Sequence, residues 1–236
     1  MMEAGKAMTY HSHATLANLV ADIERTGFGV IPQFVSADQL TRMRAFVAKA
    51  VEDAGGEYAG FIGPDSVAGS GLDELARSPH FQDMIKEIYE RGTGQKAPEQ
   101  DFYQVLRCLS GASARRHSYL FHYDSYVVTV LIPIEIPTTG MTGDFLMLPN
   151  TRSVRKSYAA NVIDKIILDN PVSQFLLRSL IKAKLVRPTR IKMVPGNAYF
   201  FWGYRSVHTN EPCDADCVRA TALFHFANPH ARTSRA

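Results

Sequence analysis

Residues 122–136 read His-Tyr-Asp-Ser-Tyr-Val-Val-Thr-Val-Leu-Ile-Pro-Ile-Glu-Ile. The part from 126 to 136 is aromatic and β-branched, the most strand-like run in the chain. It belongs to a series. Residues 102–109 are similar in kind, and residues 145–148 form a short apolar run bounded by Gly143 and Pro149. The turn signal Pro195-Gly196-Asn197 introduces another run at 198–202, and residues 218–226 close the series. Short strands separated by turns predict an antiparallel sandwich or barrel.

Upstream, the pattern is helical. Leu16, Leu19, Val20 and Ile23 recur at helical spacing. Residues 29–31 suggest a strand. Ser36, followed by Leu40, Met43, Phe46 and Val47, predicts an N-capped amphipathic helix. Residues 55–72 are rich in glycine and read as an irregular loop, and 80–91 as a further helix. One segment interrupts the strand series. Residues 151–193 hold ten Lys and Arg against two Asp, a net +8, so the rest of the chain is −5. Val162, Ile166 and Ile167, then Phe175, Leu176 and Leu180, have helical spacing there. The plain expectation is a solvated helical face over the sheet. The sharper one is a lid that favours an anionic substrate. The expected organisation is a single domain over 1–236. It has a flexible tail at 1–15, a mainly helical part at 16–100, and a β core at 101–227 carrying the basic insertion.

Composition narrows the function classes. The 236 residues include 26 Lys and Arg against 23 Asp and Glu, and 46% are apolar. That apolar content excludes a disordered chain. A formal charge of +3 excludes a nucleic-acid binder working by bulk positive charge. No apolar run reaches the length of a membrane span, so no membrane partner is expected. Residues 1–15 contain no apolar secretion core. Cys108, Cys213 and Cys217 then read as reduced thiols of a cytoplasmic protein.

The chemistry gathers around His122 and Asp124. Two residues apart on extended backbone, an imidazole and a carboxylate point to the same side and can both ligate a divalent metal. Alone the pair is unspecific. His208 follows the 198–202 strand, and Arg219 lies eleven residues later with Thr221 on the same strand face. An arginine in an apolar strand needs an anionic partner, and its planar guanidinium suits a carboxylate. Two His and one acid on one face of an iron leave open positions for oxygen chemistry. A 2-oxo acid can chelate that metal while its far carboxylate reaches the arginine.

The ordered set His122-x-Asp124, His208, Arg219-x-Thr221 resembles the iron(II)/2-oxoglutarate-dependent dioxygenases, in particular the phytanoyl-CoA dioxygenase-like branch. Supporting stretches are Gly143-Asp-Phe-Leu-Met-Leu-Pro149-Asn150, Pro195-Gly-Asn-Ala-Tyr-Phe-Phe and Gly27-Phe-Gly-Val-Ile31. The resemblance covers roughly residues 20–227. It implies a mainly β double-stranded β-helix (a cupin-like jelly roll) with flanking helices. It also implies Fe(II), 2-oxoglutarate and O2 as cofactors, with a small-molecule substrate. His122, Asp124 and His208 would be metal ligands, and Arg219 and Thr221 would hold the cosubstrate. Gln104, Tyr119 and Thr129 stand where family members often place cosubstrate or pocket contacts. Related halogenases carry Gly or Ala in place of Asp124, so hydroxylation, desaturation or cyclisation is expected rather than halogenation.

Two other classes compete. A cupin-like metal enzyme would use the three ligands without 2-oxoglutarate and would not need Arg219. A non-catalytic jelly-roll binding protein would bind no metal. Among the remaining residues, Trp202 reads as core more readily than as pocket wall. Arg107 reads equally as a substrate contact or an acid's partner, and Asp144 as a pocket acid or a turn residue. His225 continues the Arg219–Thr221 face. His11 and His13 fall in the expected tail, His117 in a loop, and Cys213 and Cys217 lack the second pair a structural zinc site needs.

Overall fold

The computed structural model describes residues 13–111, 116–155 and 157–231. Four helices precede or interleave the first strands: α1 (His13–Thr26), α2 (Ala37–Asp53), α3 (Leu72–Arg77) and α4 (Pro79–Thr93). A six-stranded antiparallel sheet contains β1 (Phe28–Ile31), β2 (Ala59–Ile62), β3 (Tyr103–Leu109), β4 (Val128–Glu135), β7 (Ala198–Phe201) and β9 (Arg219–Phe226). Its order is β1-β7-β4-β9-β3-β2. A smaller sheet has β5 (Phe145–Leu148), β6 (Thr189–Ile191) and β8 (Val207–Asn210) in the order β6-β5-β8. The two sheets face one another as a double-stranded β-helix.

Alternation along the strands divides the core. Leu131, Tyr199 and Phe201 of the large sheet meet Phe145, Met147 and Ile191 of the small one, and these form the inner core. The opposite face of the large sheet carries Leu106, Val130, Ile132, Phe200, Ala222 and Phe224. It is covered by Ile23, Met43, Val47, Phe81, Ile85 and Ile88 from the helices. Ser36 caps α2 with a full capping box, its hydroxyl accepting from Gln39 N while the Gln39 side chain accepts from Ser36 N.

Three expectations are corrected and one holds. The glycine-rich stretch at 55–72 contains β2, which pairs antiparallel with β3 and forms the sheet's edge. The expected tail ends earlier, because α1 begins at His13; His11 lies outside the described residues. Trp202 is core, as its sequence suggests: it is buried, and its indole N–H donates to Glu24 Oε1 at 2.7 Å. The basic segment does hold two helices, α5 (Tyr158–Asp169) and α6 (Pro171–Lys182), but their exposed face is apolar as well as basic. Ile163, Ile166, Ile167, Val172, Phe175 and Leu176 are exposed, while Asn161 and Gln174 are buried.

Phe81 joins the helical layer to the sheet. It is fully buried, with ring centroids of Phe224, Phe102 and Phe34 at 5.1, 5.2 and 5.7 Å. Phe81→Ala should lower unfolding free energy by ~3–5 kcal/mol through lost burial and the cavity left behind. Urea unfolding followed by circular dichroism checks this.

Candidate metal centre

The strand before β4 builds half of the site. Residue 122 pairs with residue 208 of β8 as a single antiparallel rung, with reciprocal backbone hydrogen bonds of 3.1 and 3.0 Å. This rung sets the two imidazoles side by side, their ring centroids 4.4 Å apart. Each ring is fixed through Nδ1, which donates to a backbone carbonyl two residues earlier: Leu120 O at 2.8 Å for His122 and Ser206 O at 3.0 Å for His208. That turns each Nε2 toward Asp124. The Asp124 Oδ1 lies 3.4 Å from His208 Nε2 and 3.8 Å from His122 Nε2. All three potential ligand atoms lie within 4.8 Å of one another, the only such group of three or more found among the described residues. Two imidazole nitrogens and a carboxylate converging on one point suit a divalent cation.

Asp124 is held from behind. Its Oδ2 accepts from the Thr129 hydroxyl. Because that hydroxyl proton is committed to the carboxylate, the oxygen accepts from His225 Nδ1–H at 3.0 Å. Tyr126 stacks on His225 at 5.5 Å, and Tyr103 stacks on Tyr126 at 5.5 Å. The floor under the carboxylate is Gly203, whose carbonyl accepts from Asp124 N. A Cβ at 203 would overlap both the Asp124 carboxylate and the Thr129 hydroxyl. His208 is wedged between Phe201 and Phe145, at 5.0 and 5.6 Å.

The electrostatics follow from this packing. Burial opposes ionisation of Asp124, but the imidazoles of His208 and His225 outweigh it and hold the carboxyl well below its usual range. Burial, with His208 alongside, pushes His122 down to about 4, so its Nε2 carries a free lone pair at neutral pH. The outer edge of His122 remains open to a cavity of ~370 Å³ lined also by Tyr58, Phe61, Tyr103, Arg107 and His225.

Arg219 sits on the same face of β9 as Thr221 and His225, by strand alternation. It is buried, and its Nε donates to Gly143 O at 2.7 Å. Gly143 has φ +71°, and a side chain there would strike Arg219. No carboxylate lies within ion-pair distance of the guanidinium among the described residues. Burial lowers it to about 10, still charged at neutral pH. Arg107 of β3 lies opposite Thr221, and its guanidinium too has no ion-pair partner among the described residues.

The expected residues separate by strand parity. His122, Asp124, His208 and Thr129 are in one cluster, with Arg219 and Thr221 further along the same wall. Gln104 is not on it. It pairs with Phe224 and faces the helical layer, where its buried amide has no protein partner. Tyr119 donates to Glu211 Oε1 at 3.2 Å and lines clefts that exclude the triad. Asp144 accepts from Thr142, which favours its turn reading. His117 stacks on Tyr58 at 4.1 Å. Gly203 was missed, because only the 124–203 pairing reveals its role. His225 was flagged only by its strand face.

No protein-family model and no curated protein matches the chain. Solved structures do match in fold. The chain is similar to a prolyl hydroxylase from Trichoplax adhaerens in complex with a hypoxia inducible factor oxygen degradation domain peptide fragment. The TM-score is 0.60 at 16% identity, over 93% of each chain. It is similar to a Pseudomonas putida prolyl-4-hydroxylase, with TM-score 0.54 at 13% identity over 94% of this chain and 99% of that one. The non-haem alpha-ketoglutarate-dependent epimerase SnoN from nogalamycin biosynthesis matches with TM-score 0.55 at 12% identity, over 94% of this chain and 88% of that one.

Replacing the groups behind Asp124 should weaken metal binding without unfolding the chain. Thr129→Val should lower affinity for a divalent cation ~10–100-fold, as loss of a ligand-orienting hydrogen bond does. Gly203→Ala should lower it further. Anaerobic calorimetric titration with iron(II) measures both, and near-wild-type melting temperatures show that the fold is intact.

Proposed function

We propose that the chain is an iron(II)/2-oxoglutarate-dependent oxygenase of the phytanoyl-CoA dioxygenase-like branch. It oxidises a small organic substrate by hydroxylation, desaturation or cyclisation, while 2-oxoglutarate is decarboxylated to succinate. One observation carries this reading: a buried arginine without a carboxylate partner shares a wall with a convergent His-Asp-His trio. A metal enzyme using no cosubstrate acid has no use for that cation, so Arg219 favours the oxygenase over the cupin-like alternative.

In this reading His122, Asp124 and His208 hold iron(II). Arg219, helped by Thr221, holds the far carboxylate of 2-oxoglutarate. Iron(II), when bound with 2-oxoglutarate and O2, supplies the oxidising power. The protein's own part is positional. Thr129 and His225 keep Asp124 ionised and oriented, while Phe145 and Phe201 keep water from the inner side of His208. Arg107 faces the outer cavity together with Tyr58, Phe61 and Tyr103. That lining suits a substrate with an apolar body and an anionic group. Three free thiols, with Cys108 pushed up to about 12 by burial, suit a reducing compartment, and the reading assigns the chain to the cytoplasm.

Anaerobic addition of iron(II) and then 2-oxoglutarate should produce the weak visible metal-to-ligand charge-transfer band of such a chelate. Asp124→Ala should lose the band and all succinate formation. Retention of wild-type turnover would rule out the ligand assignment.

Arg219→Lys keeps the charge but loses the planar fork. The half-saturating 2-oxoglutarate concentration, read from the same band, should rise at least about tenfold, because a charge-assisted bidentate contact is worth ~1.5–3 kcal/mol. An unchanged value would return the argument to the metal enzyme without 2-oxoglutarate.

A further inference from the structure

Helices α5 and α6 are turned inside out. On α5 the side chains facing the body are polar. Asn161 and Asp164 bind Arg152 at 3.1 and 2.9 Å, and Lys165 donates to Ser125 at 2.7 Å. On α6 the buried side chain is Gln174, whose amide bonds both the N–H and the C=O of Phe121, at 3.0 and 2.7 Å. Most of the large apolar residues point away, while Val162, Leu168, Leu177 and Ile181 are half-buried. Ile163, Ile166 and Ile167 recur at i, i+3, i+4 on α5, and Val172, Phe175, Leu176 and Leu180 at i, i+3, i+4, i+8 on α6. Phe175 is 68% exposed, Val172 67% and Ile166 63%.

This is a patch, not scatter. Of the fourteen large apolar side chains exposed among the described residues, nine fall between Tyr158 and Leu185. A helix pair in water places its apolar stripe against the body. A contiguous exposed stripe on two adjacent helices marks a surface that is covered in use.

The charges select the cover. Arg178, Lys182, Lys184 and Arg187 are exposed at the C-terminal end of the stripe, and Asp169 is the one exposed acid between residues 158 and 188. A two-fold contact between copies sets each patch against itself, cation against cation. Beneath the same end, Arg178, Lys182, Lys184 and Arg187 rim a cleft of ~550 Å³ floored by Phe121 and Leu146. Apolar side chains flanked by Lys and Arg match a bilayer interface, where acyl chains take the first and lipid phosphates the second.

We propose that the α5–α6 hairpin docks the protein on the surface of an anionic lipid bilayer. The expectation of no membrane partner rested on the lack of a spanning segment, and no described helix is long and apolar enough to span. Lying on a membrane needs no such segment. The docked hairpin holds Phe121 and Ser125, the neighbours of His122 and Asp124.

Co-sedimentation with vesicles tests this on the full chain, without metal, so the outcome is independent of the oxygenase reading. The protein should partition at least about tenfold more strongly onto equimolar phosphatidylcholine/phosphatidylglycerol than onto pure phosphatidylcholine. The preference should shrink in high salt. Ile166→Ser/Ile167→Ser/Phe175→Ser and, separately, Lys182→Glu/Lys184→Glu/Arg187→Glu should each lower partitioning at least about tenfold. Phe175→Ser alone serves where the triple variant fails to fold by circular dichroism. No binding of the wild type to anionic vesicles overturns the proposal, as does equal binding by folded variants. A dimer seen by light scattering that the serine substitutions abolish, and that vesicles do not dissociate, makes the face an interface between copies instead.

Discussion

A buried carboxylate is the constraint on which the site depends. Asp124 sits among aromatic and aliphatic groups, where an ionised acid is costly unless it is fully paired. Every neighbour works toward that pairing. Thr129 gives its hydroxyl proton, His225 backs Thr129, and His208, raised by the carboxylate against the effect of burial, stands beside the other oxygen. Gly203 provides room by having no side chain. These groups come from the loop before β4, from β4, from the turn after β7, from β8 and from β9. The two sheets must close on one another before the carboxylate is satisfied.

The same logic separates the two arginines of the wall from those elsewhere. Arg152 is buried too, but Asp164 and Asn161 bind it and it lies between the rings of Tyr123 and Tyr204, at 3.7 and 4.3 Å. It is a satisfied structural cation. Among the described residues Arg219 has a single backbone carbonyl for its Nε and nothing for its fork. In the proposed reading a buried charge left in that state would serve as a preorganised anion receptor, since Gly143 and the strand already orient it.

Much of this was legible in the sequence because strand alternation is a strict rule. HxD at the edge of the strongest strand, and Arg219 two residues from Thr221, could each be placed on one face by counting. Gln104 shows the limit of the method. Its parity was knowable from Leu106 and Cys108, which mark the helix-covered face of β3, yet position relative to His122 was weighed instead. Strand β2 stayed hidden because Gly60 and Gly63 weaken any strand signal, and its pairing depends on β3. For α5 and α6 the spacing gave helices with an apolar stripe. Periodicity cannot say which side faces the body, and here the polar side does, drawn in by Arg152, Ser125 and the backbone of Phe121.

The insertion leaves and rejoins the small sheet at neighbouring points, for Met147 of β5 stands directly across from Thr189 of β6. A tight turn could join those two strands, so by connectivity the intervening chain is a removable module, of the kind domain shuffling adds and deletes. Its hydrogen bonds give it a different status. Gln174 occupies both backbone groups of Phe121, and Lys165 holds Ser125, so excising the module would free the loop that bears His122 and Asp124 on both sides. The segment is separable in topology and inseparable in mechanics. A shortened or transplanted version of this scaffold would therefore keep its sheets and loosen the loop that bears His122 and Asp124.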